Sequence, residues 1–147
     1  MRAIMAYTTS RRLNFGDCDP SGIAYFPSYL NILVGVCEEF FGAIGSPWPD
    51  MISRRKIGVP TVTLDVAFKS PGYHGDMMDF TVKIMRIGNS SADLEYEVRA
   101  DDRLLWTARQ RLVATSHETH KALPWPDDMR AALTQHLEKS NAHHPAA

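Results

Sequence analysis

A chain of 147 residues with 44% apolar side chains is the size of one ordinary domain and carries enough apolar matter for a real core. Sixteen basic against seventeen acidic side chains leave a formal net charge of −1, which excludes a nucleic-acid footprint and a basic membrane-binding face. Two cysteines exclude a disulfide scaffold, no apolar run reaches the length of a membrane span, and Met1 to Ser10 lacks the apolar segment of a signal peptide, so a cytoplasmic protein is expected.

In chain order, Met5 to Asn14 reads as a first strand with Leu13 and Phe15 pointing one way. From about Pro27 to Ile44 the run is too long for a strand and is closed by Gly45, a helix C-cap residue. Tyr29, Leu30, Leu33, Val34, Val36, Cys37, Phe40, Phe41 and Ile44 occupy nearly every face of that helix, so other structure must wrap it. The wrapping follows. Val62, Leu64, Val66 and Phe68 recur with a period of two, as do Phe80, Val82 and Ile84, then Leu94, Tyr96 and Val98, then Leu104, Trp106, Ala108 and Leu112. The turns Ser70-Pro71-Gly72 with Gly75-Asp76, Gly88-Asn89-Ser90 and Asp101-Asp102 predict an antiparallel meander of four strands, each with one wet face. Beyond Pro124-Trp125-Pro126, Asp127 or Asp128 caps a short amphipathic helix from Met129 to Leu137. The expected architecture is α+β, one domain over residues 1–138 with a disordered tail at 139–147.

The stretch GDCDPSGIAYFPSY, Gly16 to Tyr29, sets carboxylates directly ahead of the apolar helix. Pro20 biases Asp19 to an extended conformation, Gly22 permits a positive φ, and Pro27 suits the first helical turn. The helix start offers unpaired amides, those of Phe26, Ser28 and Tyr29, and the positive end of a macrodipole of about half an elementary charge. Such an end favours an anion. On the residues alone this is either a structural turn, with Asp19 as a distant cap, or a site where negative charge develops on a substrate.

The pattern Gly16-Asp17-Cys18-Asp19-Pro20-Ser21-Gly22-Ile23, followed by Tyr25-Phe26-Pro27 and Tyr29, resembles the signature of hot-dog-fold acyl-CoA thioesterases, closest to the branch named for 4-hydroxybenzoyl-CoA thioesterase. Gly58-Val59-Pro60, Phe68 to Pro71, Gly75-Asp76 and Gly88-Asn89-Ser90-Ser91 extend the likeness over about residues 8 to 116. The resemblance implies a long helix wrapped in a curved antiparallel sheet of about five strands. It also implies a homo-oligomer, a dimer or a dimer of dimers (a homotetramer), with two subunits joined edge to edge. It implies hydrolysis of an aryl- or short- to medium-chain acyl-CoA, with Asp19 as catalytic carboxylate, as nucleophile or as general base, and the backbone N–H of Phe26 polarising the thioester carbonyl. Neither cofactor nor metal is required for that chemistry, because a thiolate is a good leaving group. A non-hydrolytic acyl-thioester binding protein, for coenzyme A or acyl carrier protein, and a purely structural oligomer are the competing readings.

The acyl pocket is expected beside the helix near Tyr25, Tyr29, Leu33, Val59 and Thr61. On the helix face from Leu30 to Cys37 only Asn31 could meet a ring hydroxyl. Arg86, Arg109, Arg111 and Arg54-Arg55-Lys56 are the candidate phosphate binders. Where the better-known aryl-CoA enzyme of the branch has basic side chains at the hairpin, this chain has Gly88, Asn89, Ser90 and Ser91, so hydroxyls and amides are the expected contacts there. Asp17 and Gly22 are expected to support the turn, Cys18 to pack, His117 and His120 to lack a third metal ligand, and Glu38 and Glu39 to face solvent or a subunit interface.

Overall fold

The computed structural model describes residues 6–137, so the expected disorder at 139–147 lies outside the described residues. Its organising element is the helix α1, Phe26–Ala43, whose buried side chains Tyr29, Leu33, Val36, Cys37, Phe40 and Phe41 recur at helical spacing and form one stripe toward the sheet. Each such burial stabilises the fold by about 1.5–3 kcal/mol. Phe26 is the first helical residue and Pro27 the second, a position whose N–H is equally unneeded. At the other end Gly45 takes φ 96°, its N–H donates to the Gly42 carbonyl at 3.1 Å, and the Ser46 N–H donates to that of Phe41 at 2.8 Å, a Schellman stop.

Among the described residues seven strands accompany the helix: β1 (Tyr7–Arg12), β2 (Ile57–Gly58), β3 (Thr61–Phe68), β4 (Met77–Ile87), β5 (Ser91–Ala100), β6 (Arg103–Val113) and β7 (Thr115–Ser116). The five longer ones form an antiparallel sheet in the order β1-β4-β5-β6-β3, and β2 pairs with β7. This is the expected α+β hot-dog arrangement, with one change of topology. β3 does not neighbour β4; it crosses to the far edge and pairs with β6. The tight turns join only β4 to β5 and β5 to β6, whereas residues 69–76 between β3 and β4 are too many for a hairpin and carry the chain across the strand ends.

The alternation expected of β4 and β5 holds, with Phe80, Val82, Ile84, Leu94, Tyr96 and Val98 all buried. In β6 a register shift opposite Val98 and Arg99 puts both Leu105 and Trp106 in the core and leaves Leu104 half-buried, while Gln110 is buried by the regular alternation it shares with Trp106, Ala108 and Leu112. Three further expectations fail. Phe15 does not share a side with Leu13: Leu13 is in the core, while Phe15 sits in a short 3-10 turn (Phe15–Asp17) and is 68% exposed. β3 has two wet faces instead of one: it is an edge strand that α1 meets at Phe68, and Val62 and Phe68 are each 53% exposed. On α1 itself Val34 remains half exposed. Between α1 and β2 a single turn α2 (Trp48–Asp50) runs into a π-helical turn (Met51–Arg55), which the sequence pattern did not announce. The last helix, α3, spans Asp127–Gln135 with both aspartates in its first turn and Pro126 in the capping position, and buries Met129 and Leu133.

Candidate active site

The GDCDPSG stretch folds as a miniature hairpin. The Gly22 N–H donates to the Asp19 carbonyl, and the Asp19 N–H to that of Ile23, both at 2.9 Å. Cys18 bridges Ala24, and the Tyr25 N–H reaches the Asp17 carbonyl at 2.9 Å. Gly22 takes φ 83°, the left-handed conformation that this loop requires and that a Cβ would strain. Asp17 accepts the Asn14 N–H at 2.9 Å and so ties the hairpin to the end of β1. Together these bonds hold Asp19 across from Ile23, two residues ahead of Tyr25, the N-cap of α1.

Asp19 stands at the surface. Its Oδ1 accepts the Ser21 hydroxyl and, at 2.9 Å, the Ser21 N–H. The hydroxyl first, then that amide and the nearby Ile23 amide, hold its carboxyl below the ordinary value, so Asp19 is ionised at neutral pH. Cys18 moves the other way: burial, then the charges of Asp17, Asp19 and Asp76, raise its thiol pKa, which suits packing and not nucleophilic work. Tyr25 has no side-chain cap bond to offer, and among the described residues no acceptor meets the Phe26 N–H.

Beside this turn lies a groove of about 340 Å³ bounded by Ile23, Phe26, Tyr29, Phe68 and the segment from Lys69 to Gly72. Its walls are aromatic. Phe26 meets Phe68 edge-on at 6.0 Å, and Tyr29 stacks between Phe68 at 6.2 Å and Trp106 at 4.8 Å. Tyr29 is 4% exposed, its hydroxyl has no hydrogen-bond partner, and burial, with the charge of Asp76, pushes its pKa up to about 12. Gly72 is obligatory here, since a Cβ would stand 2.3 Å from the Tyr29 hydroxyl. Asp76 braces the same loop: burial opposes its ionisation, but the Arg103 guanidinium at 2.7 Å and the Tyr73 N–H at 2.9 Å outweigh it and hold its pKa down.

Not all of the expected residues come together. Asp19, Tyr25, Phe26 and Tyr29 gather at one end of the sheet. Leu33 is in the core, and Val59 and Thr61 lie at the start of β3, the opposite end of the strand from Phe68. Gly88, Ser90 and Ser91 are at the tip of the β4–β5 hairpin, at that same far end. The Thr61 hydroxyl is held by a buried relay that the sequence reading passed over. The Tyr96 hydroxyl donates to Gln110 Oε1 at 2.6 Å, and Gln110 Nε2 donates to Thr61 Oγ1 at 2.9 Å. A signal existed: Gln110 interrupts an apolar alternation between Ala108 and Leu112. The hairpin tip is likewise gripped by residues not foreseen. Arg130 Nη2 donates to the Gly88 and Asn89 carbonyls at 3.1 and 3.0 Å, and the Trp125 indole to that of Ser91 at 2.9 Å.

The candidate phosphate binders are mostly engaged. Arg54 pairs with Asp50, Arg55 with Asp128, Arg109 with Glu95 and Arg111 with Asp93, whereas Arg86 has no ion pair among the described residues. Glu38 is exposed, and Glu39 is partly exposed but held by the edge strand β1. Tyr7 bonds it and Arg11 reaches it at 2.5 Å, so it binds β1 to α1. The His117 and His120 rings lie edge to face at 6.4 Å.

Comparison with known proteins agrees with this geometry. The family model described as the thioesterase-like superfamily matches residues 13–133. A 1,4-dihydroxy-2-naphthoyl-CoA hydrolase of Synechococcus elongatus is 23% identical over 84% of this chain and 92% of its own length. A 4-hydroxybenzoyl-CoA thioesterase of a Pseudomonas species is 34% identical over 48% of this chain and 52% of its own length. Among solved structures, a thioesterase superfamily protein from a Jannaschia species superposes with a TM-score of 0.85 over 93% of this chain and 96% of that one, at 24% identity, a likeness of fold.

Proposed function

The chain belongs to the thioesterase-like superfamily and is a thioester hydrolase, and from that premise we propose that it cleaves an acyl-CoA at the turn carrying Asp19. The observation that carries the reading is an ionised, surface-held carboxylate fixed by a hairpin that leads directly into a helix N-terminus, beside an aromatic groove.

In this mechanism the thioester carbonyl oxygen lies at the Phe26 N–H. Charge grows on that oxygen as the carbonyl carbon is attacked, and a fixed amide at the positive end of α1 stabilises it more than it stabilises the neutral ester. Both Ser21 donors converge on Oδ1, which leaves Oδ2 to act. Oδ2 either bonds to the carbonyl carbon, expelling the thiolate and leaving an anhydride for water to open, or takes a proton from a water that attacks in its place. In both routes the C–S bond breaks, the thiolate is protonated, and acid and coenzyme A leave.

Two copies of the chain, paired antiparallel along the open edge of β3, complete the site in this reading. A two-fold axis sets the start of one β3 beside the end of the other, so Val59 and Thr61 of the second copy face Phe68 and Phe26 of the first. The uncovered Val62, Leu64 and Phe68 supply the contact. The second copy's hairpin, with Gly88, Ser90 and Ser91 and the unpaired Arg86, then lies on the path of the pantetheine arm toward its phosphates. Among the described residues no acid or amide side chain lines the groove, which favours an apolar acyl group over a hydroxybenzoyl one.

The test is thiol release from a panel of aryl- and straight-chain acyl-CoA thioesters by the native protein and Asp19→Asn. Hydrolysis should fall by about a hundredfold to ten-thousandfold in the variant, with thioester binding and thermal stability retained, since the Asp19 side chain bonds to Ser21 within the surface turn. Binding without release by the native protein would instead leave a non-hydrolytic thioester carrier.

A further inference from the structure

A second cavity lies apart from the Asp19 groove. Trp48, Met51, Ile52, Ile57 and Val59 enclose a cleft of about 350 Å³ built from α2, the π-helical turn and β2. Its size is that of a small-molecule pocket, and its walls are apolar. Its polar groups are few: Thr115, the rim histidines His117 and His120, and the Trp48 indole N–H, which is buried with no hydrogen-bond partner. Nothing in the hydrolytic steps uses it.

We propose that this cleft receives the far end of the acyl group whose thioester carbonyl is held at the Asp19 turn of the second copy, which makes the substrate a medium-chain, apolar acyl thioester. The inference rests on the reading of Asp19 and β3 given above. Within one chain the cleft cannot serve its own Asp19. It opens at Val59 and Pro60, directly before the first residue of β3, and Phe68 is seven residue steps further along that strand, roughly 23 Å at about 3.3 Å per step. The antiparallel pairing that brings Thr61 of one copy to Phe68 of the other brings the mouth of this cleft to the aromatic groove. The two cavities then run together, with the scissile carbonyl at one end and the apolar cleft at the other.

The chemistry of the walls selects the occupant. The nucleotide half of coenzyme A carries phosphates that need several donors or cations, and the cleft has no lysine or arginine in its lining. A hydrocarbon chain needs only apolar surface. Each methylene taken from water into such a surface is worth about fourfold in binding, so the cleft would be felt as a dependence of rate on chain length.

Gly58 gives access to this cleft. A Cβ there would touch only the Thr115 hydroxyl, at 3.7 Å, and its φ lies outside the left-handed region, so a larger side chain enters the cleft without backbone strain. The experiment measures kcat/KM for butyryl-, hexanoyl-, octanoyl- and decanoyl-CoA with the native protein, Gly58→Leu and Ile52→Trp, and measures sodium decanoate binding by calorimetry. The native protein should gain about fourfold per added methylene. In both variants the ratio of decanoyl-CoA to butyryl-CoA should fall at least about tenfold, and decanoate binding should weaken with it. A native rate indifferent to chain length, or variants that lower both substrates equally, would overturn the assignment while leaving hydrolysis at Asp19 intact. If Asp19→Asn hydrolyses as well as the native protein, the reading of the catalytic turn falls. The decanoate titrations with and without Gly58→Leu then still decide whether the cleft takes an acyl chain.

Discussion

The two edges of the five-stranded sheet are built in opposite ways. β1 is short, carries Arg11 and Arg12, alternates between half-buried and exposed positions, and is tied to α1 through Tyr7, Arg11 and Glu39. β3 is longer, has one charge in Asp65, and leaves Val62, Leu64 and Phe68 uncovered. An edge strand left apolar and unpaired invites another chain, and proteins that stay monomeric blunt such edges. The contrast teaches that one edge is tied down by its own side chains, and that the other is left apolar and open, as the proposed pairing of two copies requires.

The sharpest way to break the contrast is a matched pair of charges. Leu64→Asp places a carboxylate beside Asp65 on the same short stretch of both copies. Like charges across a strand pair oppose association, and Leu64 is 37% exposed already, so the isolated chain should still fold. The mass in solution should drop to that of one chain, and hydrolysis should fall by about a hundredfold or more as the groove loses its second wall. Thr8→Asp on β1 should change neither. Light scattering with a parallel thiol-release assay reads both, and a native monomer, or a fully active Leu64→Asp, would defeat the comparison.

The next effect concerns what stands behind β3. Gln110→Leu strips the acceptor from the buried Tyr96 hydroxyl and the donor from Thr61, and should cost about 1–3 kcal/mol in denaturant unfolding. Adding Tyr96→Phe should recover much of that loss, since removing both partners leaves nothing stranded. Recovery would mark the relay as a support for Thr61 placement; two independent, additive losses would mark it as ordinary packing.

How much of this was legible beforehand follows from where the information lies. Helix α1 and its glycine stop were readable because burial on one stripe and a left-handed residue at the end leave local traces. The turn around Asp19 was readable for the same reason, as Pro20 restricts the backbone where it stands and Gly22 permits the positive φ that closes the turn. The partner of β3 was not, because pairing depends on which surface α1 covers, and nothing local to Thr61 through Phe68 encodes a crossing to β6. The same holds for Arg130 at the hairpin tip, which sits more than forty positions from the carbonyls it meets. The groove was half legible. Its floor came from the helix start, but Phe68, Gly72 and Trp106 reach it only through the sheet.

The closed edge offers a smaller test. Glu39 is held below its ordinary pKa, first by the Tyr7 hydroxyl and then by Arg11, against the effect of burial. A depressed carboxylate stabilises the fold above its unfolded value, and that contribution is lost as pH falls through the folded one. Tyr7, raised to about 12 chiefly by burial and then by Glu39, contributes below its ordinary value of 10.0 and loses that contribution as pH rises toward 12. Glu39→Gln should therefore flatten the acid side of the stability profile. It should cost only about 0.5–1 kcal/mol at neutral pH, since the pair is partly open to solvent. Thermal melts from pH 3 to 7 would show it, and an unchanged slope would mean that the edge is closed by the apolar contact of Tyr7 with Phe40 instead.

The smallest effect is the most informative about chemistry. Ser21 is the main reason Asp19 ionises easily, through its hydroxyl first and its amide second. Ser21→Ala removes the hydroxyl and keeps the amide, so the carboxyl should titrate at higher pH. Ionised Asp19 is the active form in either route, so the acid limb of kcat/KM should move up in pH while the plateau rate changes little. A structural aspartate predicts something else: the limb stays where it is, and the melting temperature drops as the turn loses a bond. The direction in which that limb moves therefore ties the hydroxyl beside Asp19 to the reaction itself, independently of whether Asp19→Asn abolishes turnover.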